Sequence, residues 1–165
     1  MTKSSKALAH SAITAALCVV IMLLGAFLEL GIYAAPVLAG LCFLPIGERF
    51  GRKWHISVYV ASAILCLLFV PNIEENALFI AIFGWYPILR PSLQKLPGVL
   101  RWICKILVFN ITVVAAEWLV LTFLAPQVLE SVFAWILLGL GNVTFVTYDF
   151  LVPKMQIILH KIFHN

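Results

Sequence analysis

The cations of this chain are sorted. When its apolar stretches are read as consecutive membrane crossings, all eleven Lys and Arg residues fall on one side. They are Lys3 and Lys6; Arg49, Arg52 and Lys53; Arg90, Lys95, Arg101 and Lys105; and Lys154 and Lys161. The turns between these clusters hold acidic charge alone: Glu29, then Glu74 and Glu75, then Glu130. Basic loops are retained in the cytoplasm, so the alternation requires an even number of crossings with both termini inside. The expected fold is an all-α membrane protein, a compact bundle of six transmembrane helices in the plasma membrane with both termini cytoplasmic.

Composition sets the same class. Hydrophobic residues make up 64% of the chain and charged ones 11%, too little polar surface to coat a water-soluble globule. A helix needs ~20 residues to cross a ~30 Å hydrocarbon core, so 165 residues leave room for short loops and no soluble domain. The net charge of +4 is divided among loops that face anionic lipid, which argues against a nucleic-acid partner. Residues 1–165 form a single transmembrane domain, with spans at about 7–28, 32–47, 54–70, 76–89, 102–124 and 128–152. Pro36 is tolerated in the first turn of the second span. Gly84-Trp85-Tyr86-Pro87 predicts a kink or early stop in the fourth. Residues 90–101, with Pro91, Pro97 and Gly98, read as an interfacial segment, and the tail 154–165 as a helix lying on the inner leaflet.

Glu117 reads as the only acidic side chain deep inside a span. A charge there costs ~2.5–3.5 kcal/mol on insertion scales, so such a carboxylate faces a cavity, a partner or a ligand, or is satisfied protonated by a neighbouring helix. In the sixth span Trp135, Gly139 and Asn142 share one helical face. An aromatic, an open space and an amide can wall a small pocket; the same residues can equally be close helix packing with an interhelical amide bond. Asn110, seven residues before Glu117, extends a polar stripe down the fifth span. In the first span Ala12 and Ala16 form a small-xxx-small pair, doubled by Ser11 and Ala15, which lets another helix approach closely.

Catalytic constellations are absent: no paired intramembrane aspartates, no HExxH, no glycine-flanked serine elbow and no phosphate loop with its lysine. The chain is expected to be no enzyme and to need no cofactor. His160 and His164 stand four apart, but two ligands on a terminal helix make no metal site, and none is expected. Without an ATP-binding motif, energised transport requires partners that hydrolyse ATP.

Ala12-Ile-Thr-Ala-Ala16 and the joint Gly47-Glu-Arg-Phe-Gly51, set in a chain of short spans with cytoplasmic ends, resemble the S-components of energy-coupling factor transporters, which capture vitamins and related micronutrients. The likeness covers roughly the first seventy residues. It implies that Ala12 and Ala16 dock on a transmembrane coupling subunit served by ATPase subunits. It further implies a ligand pocket opening outward among helices four to six, lined by Glu117, Trp135 and Asn142 and joined by Asn76. No signature of a particular vitamin is present in the second half. The rival reading is a small integral membrane scaffold or assembly protein acting through helix–helix contacts, with Glu117 as an interhelical hydrogen bond.

Overall fold

A computed structural model describes residues 3–28, 33–123 and 131–164, with side chains described over 4–28, 33–119 and 138–161. The expected turns at Glu29 and Glu130 lie outside these residues. Every regular element among the described residues is helical: α1 Lys3–Phe27, α2 Ala34–Leu41, α3 Leu44–Phe50, α4 Arg52–Phe69, α5 Ile73–Leu78, a π-helical turn Phe79–Phe83, α6 Tyr86–Leu93, α7 Gly98–Phe123 and α8 Ser131–His164. Among the described residues three stretches, Ser4–Phe27, Arg52–Phe69 and Gly98–Leu119, are long and apolar enough to cross a membrane.

The longest helices turn an apolar face outward. On α1, Ala7, Ser11, Ala15, Cys18 and Met22 recur every three to four residues and are buried, while Leu8, Ile13, Leu17, Leu24 and Phe27 are exposed. The same holds on α4 at Ile64, Leu67 and Leu68 and on α7 at Ile103, Leu107, Ile111 and Trp118. Water-soluble monomers rarely expose contiguous apolar patches beyond a few hundred Å², whereas here such residues cover whole helix faces.

The second and fourth apolar stretches are broken helices, and they form the middle of the bundle. Pro45 is the second residue of α3; it has no N–H to continue the ladder from α2, and the chain turns at Cys42 and Phe43. Gly51 ends α3 with φ +91°, a left-handed geometry that favours glycine. It accepts the first hydrogen bond of α4, from His55 N at 3.2 Å. Gly47 in the same joint lies flat against the imidazole: a Cβ there would stand 2.5 Å from His55 Nδ1.

The fourth stretch runs α5, π turn, α6. The wide turn closes with Gly84 N donating to Phe79 O at 2.9 Å, and Pro87 sits at the start of α6. This break falls where the Gly84–Pro87 run predicts one. Neighbouring side chains brace it. Tyr59 Oη donates to Ile80 O at 2.9 Å, Trp85 Nε1 donates to Ala81 O, and Tyr148 Oη donates to Phe83 O at 2.9 Å. The last of these has a covalent cause, since the ordinary donor to Phe83 O would be the amide of residue 87, which is proline. Gly40 on α2 makes room for the arrangement, because a Cβ there would collide with the Phe83 carbonyl and press on the Tyr148 hydroxyl.

Two cores flank this middle layer. One gathers Leu41, Ile82, Tyr86, Phe109, Phe145 and Tyr148, with Phe109 and Phe145 stacked at 4.6 Å between centroids. The other gathers Cys18, Met22, Phe43, Val58, Cys66 and Phe79.

Two expected segments are corrected. Residues 90–101 do not form one short helix of their own: Arg90–Leu93 completes α6, and Gly98–Arg101 is the first turn of α7, with a short turn between. The tail 154–165 is not a separate surface helix either. Helix α8 passes through Pro153 as far as His164, with Leu159 buried in the core and Gln156 Nε2 donating to Glu48 Oε1 at 3.1 Å.

Candidate functional site

Contacts bring the basic clusters together at one end of the bundle. Arg49 Nη1 donates to His10 Nε2 at 3.3 Å, joining the end of α3 to the start of α1, and Glu48 meets Gln156 of α8. At this end Asp149 of α8 is the hub. Its Oδ1 accepts from Tyr86 Oη at 2.6 Å and from Arg90 Nε at 2.9 Å, and its Oδ2 accepts from Lys105 Nζ at 2.6 Å. Tyr86 and Arg90 stand four residues apart and so share a face of α6; Lys105 comes from α7. Asp149 is 4% exposed and Lys105 1%. Lys105 Nζ also lies 5.0 Å from the Trp102 ring centroid, where the ring face attracts the cation.

Arg90 does a second thing. Its Nη2 reaches the backbone carbonyl of Asp149 at 3.4 Å, the carbonyl that Pro153, having no N–H, leaves without its helical donor. A buried ion cluster is costly unless further hydrogen bonds satisfy it, and here both carboxylate oxygens of Asp149 and its backbone carbonyl are bonded. With both oxygens of Asp149 engaged, the cluster binds α6, α7 and α8 together and leaves little capacity for a ligand.

At the opposite end the balance of donors and acceptors is reversed. Asn72 caps α5, its Oδ1 accepting from Glu75 N at 3.1 Å, which is the usual role of Asn before a helix. Helix α5 then directs Glu75 and Asn76 inward, 0% and 3% exposed. Asn76 Nδ2 donates to Val70 O at 2.9 Å, but Asn76 Oδ1 and both carboxylate oxygens of Glu75 have no hydrogen-bond partner among the described residues. Glu75 lies against α1, where a Cβ on Gly25 would stand 2.5 Å from its Oε1. Helix α5 also packs on α7, and Glu74 lies within electrostatic reach of Glu117.

The expected site residues separate into groups. Asn76 and Glu117 belong to this acceptor-rich end, Glu117 half-buried. Asn142 pairs with Asn110 in a reciprocal amide contact, each Nδ2 donating to the other's Oδ1 at 3.0 Å. Asn142 Nδ2 also donates to Leu138 O at 2.8 Å and Asn110 Nδ2 to Ile106 O at 2.8 Å. The stripe of amides therefore ties α7 to α8. The side chain of Trp135 lies outside the described residues. Ala12 and Ala16 are exposed on the outer face of α1, away from its buried stripe.

Glu117 is not the only acidic group deep in the helices: Asp149 and Glu75 are both more buried. Asp149 had a sequence signal, a single carboxylate near the end of an apolar helix at the level of Arg90 and Lys105. Glu75 read as part of an outer turn, and nothing in its local pattern distinguishes it from the exposed Glu74.

No family model, no curated protein and no solved structure matches the chain.

Proposed function

We propose that the chain is a membrane-embedded substrate-capture subunit of an energy-coupling factor type uptake transporter, taking a vitamin-like small molecule and energised by partner ATPase subunits. In this reading it crosses the plasma membrane six times with both termini in the cytoplasm, and the end carrying Glu74, Glu75, Asn76 and Glu117 faces outward.

One observation carries the ligand reading. Glu75 and Asn76 bring three buried acceptor oxygens without a donor to the end opposite the cations. Burying unpaired polar oxygens costs several kcal/mol on the scale of ~1–3 per group, and a carboxylate more. A ligand that is cationic, or rich in N–H and O–H donors, supplies what these groups lack. The rest of the molecule fits a capture subunit without an engine of its own. The Asp149 cluster keeps the cytoplasmic side of α6, α7 and α8 together, and the exposed Ala12 and Ala16 leave a smooth strip on α1 for a coupling subunit.

The test is native mass spectrometry of the chain purified from cells grown in rich medium. Wild type is expected to retain a small molecule that Glu75→Gln and Glu117→Gln lose; retention by both variants removes the acidic end from the site. Docking is tested separately by co-purification with coupling and ATPase subunits. Ala12→Leu with Ala16→Leu is expected to abolish it, and undiminished association rejects that face.

A further inference from the structure

The basic end holds a second polar concavity, separate from the Asp149 cluster and unrelated to outward capture. A cavity of about 230 Å³ opens there, lined among others by Glu48, Arg52, His55, Ser92 and Gln156. Four helices contribute: Glu48 from α3, Arg52 and His55 from α4, Ser92 from α6 and Gln156 from α8. Its volume lies below the ~300–1,000 Å³ of drug-sized sites, which restricts it to a small metabolite.

The cavity's charges are unusual in being opposite and unpaired with each other. Glu48 is oriented by Gln156 Nε2 through one oxygen, Oε1, at 3.1 Å, and no ion pair joins it to Arg52, four residues on. His55, 6% exposed, also lines the cavity. Gly47, which also lines the cavity, gives the imidazole its room, since a Cβ there would stand 2.5 Å from His55 Nδ1. Ser92 adds a hydroxyl that both donates and accepts. A purely anionic ligand would meet the carboxylate of Glu48, and a purely cationic one the guanidinium of Arg52. A molecule with one charge of each sign satisfies both.

We propose that this cavity binds a small zwitterion bearing a carboxylate and an ammonium group, of the size of an α-amino acid, from the side of the protein that carries its basic residues. Arg52 receives the carboxylate, whose planar pair of oxygens matches the guanidinium fork, and the Ser92 hydroxyl bonds its second edge. Glu48 receives the ammonium.

The experiment is calorimetric titration of the full chain in lipid nanodiscs with L-alanine, glycine and L-glutamine, and with acetate and methylammonium as half-ligands. Saturable binding of at least one zwitterion is expected, with each half-ligand at least ten-fold weaker. Glu48→Gln and Arg52→Gln, both at exposed positions, are expected to weaken it at least ten-fold with the thermal unfolding midpoint unchanged. Gly47→Ala is expected to weaken it by moving His55, whereas Glu75→Gln leaves it intact. Failure of all three zwitterions to saturate overturns the proposal, as does acetate binding as tightly as alanine. Binding that survives both charge-removing variants, or that is lost in Glu75→Gln alone, overturns it as well. None of these readouts involves uptake, so the result is independent of the capture function proposed above.

Discussion

Arg90 hydrogen-bonds Asp149 twice, once at the side-chain carboxylate through Nε at 2.9 Å and once at the backbone carbonyl through Nη2 at 3.4 Å. The second bond substitutes for the amide that Pro153 lacks. A matching exchange runs the other way: Pro87 leaves the Phe83 carbonyl open, and Tyr148 of α8 supplies its hydroxyl at 2.9 Å. Each of the two proline-interrupted stretches is thus completed by a side chain of the other.

This exchange predicts a specific suppressor. Tyr148→Phe removes the donor to Phe83 O and should destabilise the protein by ~1–3 kcal/mol, the cost of stranding a buried polar group. Pro87→Ala in that background returns an amide to residue 87 and should recover part of the loss. Thermal unfolding in detergent measures both; a double variant no more stable than Tyr148→Phe alone would mean that Pro87 is not what opens the carbonyl.

The Asp149 cluster should behave as a unit. Asp149→Asn strands the buried Lys105 and the partly buried Arg90 and is expected to cost ~3–5 kcal/mol, the range for breaking a buried ion pair from one side. Lys105→Met alone should cost less, because Oδ2 loses its donor but Arg90 and Tyr86 still hold Oδ1 and neutralise the carboxylate. Combining Asp149→Leu, Arg90→Leu and Lys105→Met should be milder than Asp149→Asn, since fully apolar replacements of buried ion clusters are often neutral. Additive losses across the triple variant would show that the three groups act separately.

Gly40 and Gly139 offer a contrast in glycine substitution. Gly40→Ala drives a methyl group into the Phe83 carbonyl and the Tyr148 hydroxyl, an overpacking expected to cost ~1–3 kcal/mol or more. Gly139→Ala meets nothing within 4 Å and should be neutral or gain up to ~1 kcal/mol from helix propensity. Equal unfolding midpoints for the two variants would refute the close approach of α2 to the π turn.

The amide pair of α7 and α8 should be a modest tie. Asn142→Leu is expected to lower stability by about 0.6 kcal/mol and by no more than about 1.7 kcal/mol, the average and the maximum for interhelical hydrogen bonds in a helical membrane protein. Asn110→Leu added to it should cost little more, since the first change already breaks the reciprocal bonds. A second loss as large as the first would show that each amide works mainly on its own helix.

What the sequence made legible follows from where the physics is local. Helices α1, α4 and α7 declare themselves by long apolar runs, and the kink in the fourth stretch by Gly84 and Pro87, because hydropathy and proline geometry need no knowledge of neighbours. The continuity of α8 through Pro153 was illegible for the opposite reason. Proline normally argues for a stop, and the compensating guanidinium lies on a helix some sixty residues earlier in the chain. The depth of Glu75 was hidden likewise, since whether a carboxylate beside a turn points into solvent or against Gly25 depends on how α1 and α5 meet. Asn142 carried both its readings openly, and its partner Asn110 lay in the polar stripe already visible on the fifth stretch.

The crossed bonds between α6 and α8 bear on the order in which the polypeptide is completed. The carbonyl freed by Pro87 leaves the ribosome some sixty residues before the hydroxyl that closes it, so the earlier helix stays unfinished until α8 has been made as far as Tyr148. Truncated products ending before Tyr148 would carry an open backbone acceptor at Phe83 in an apolar setting.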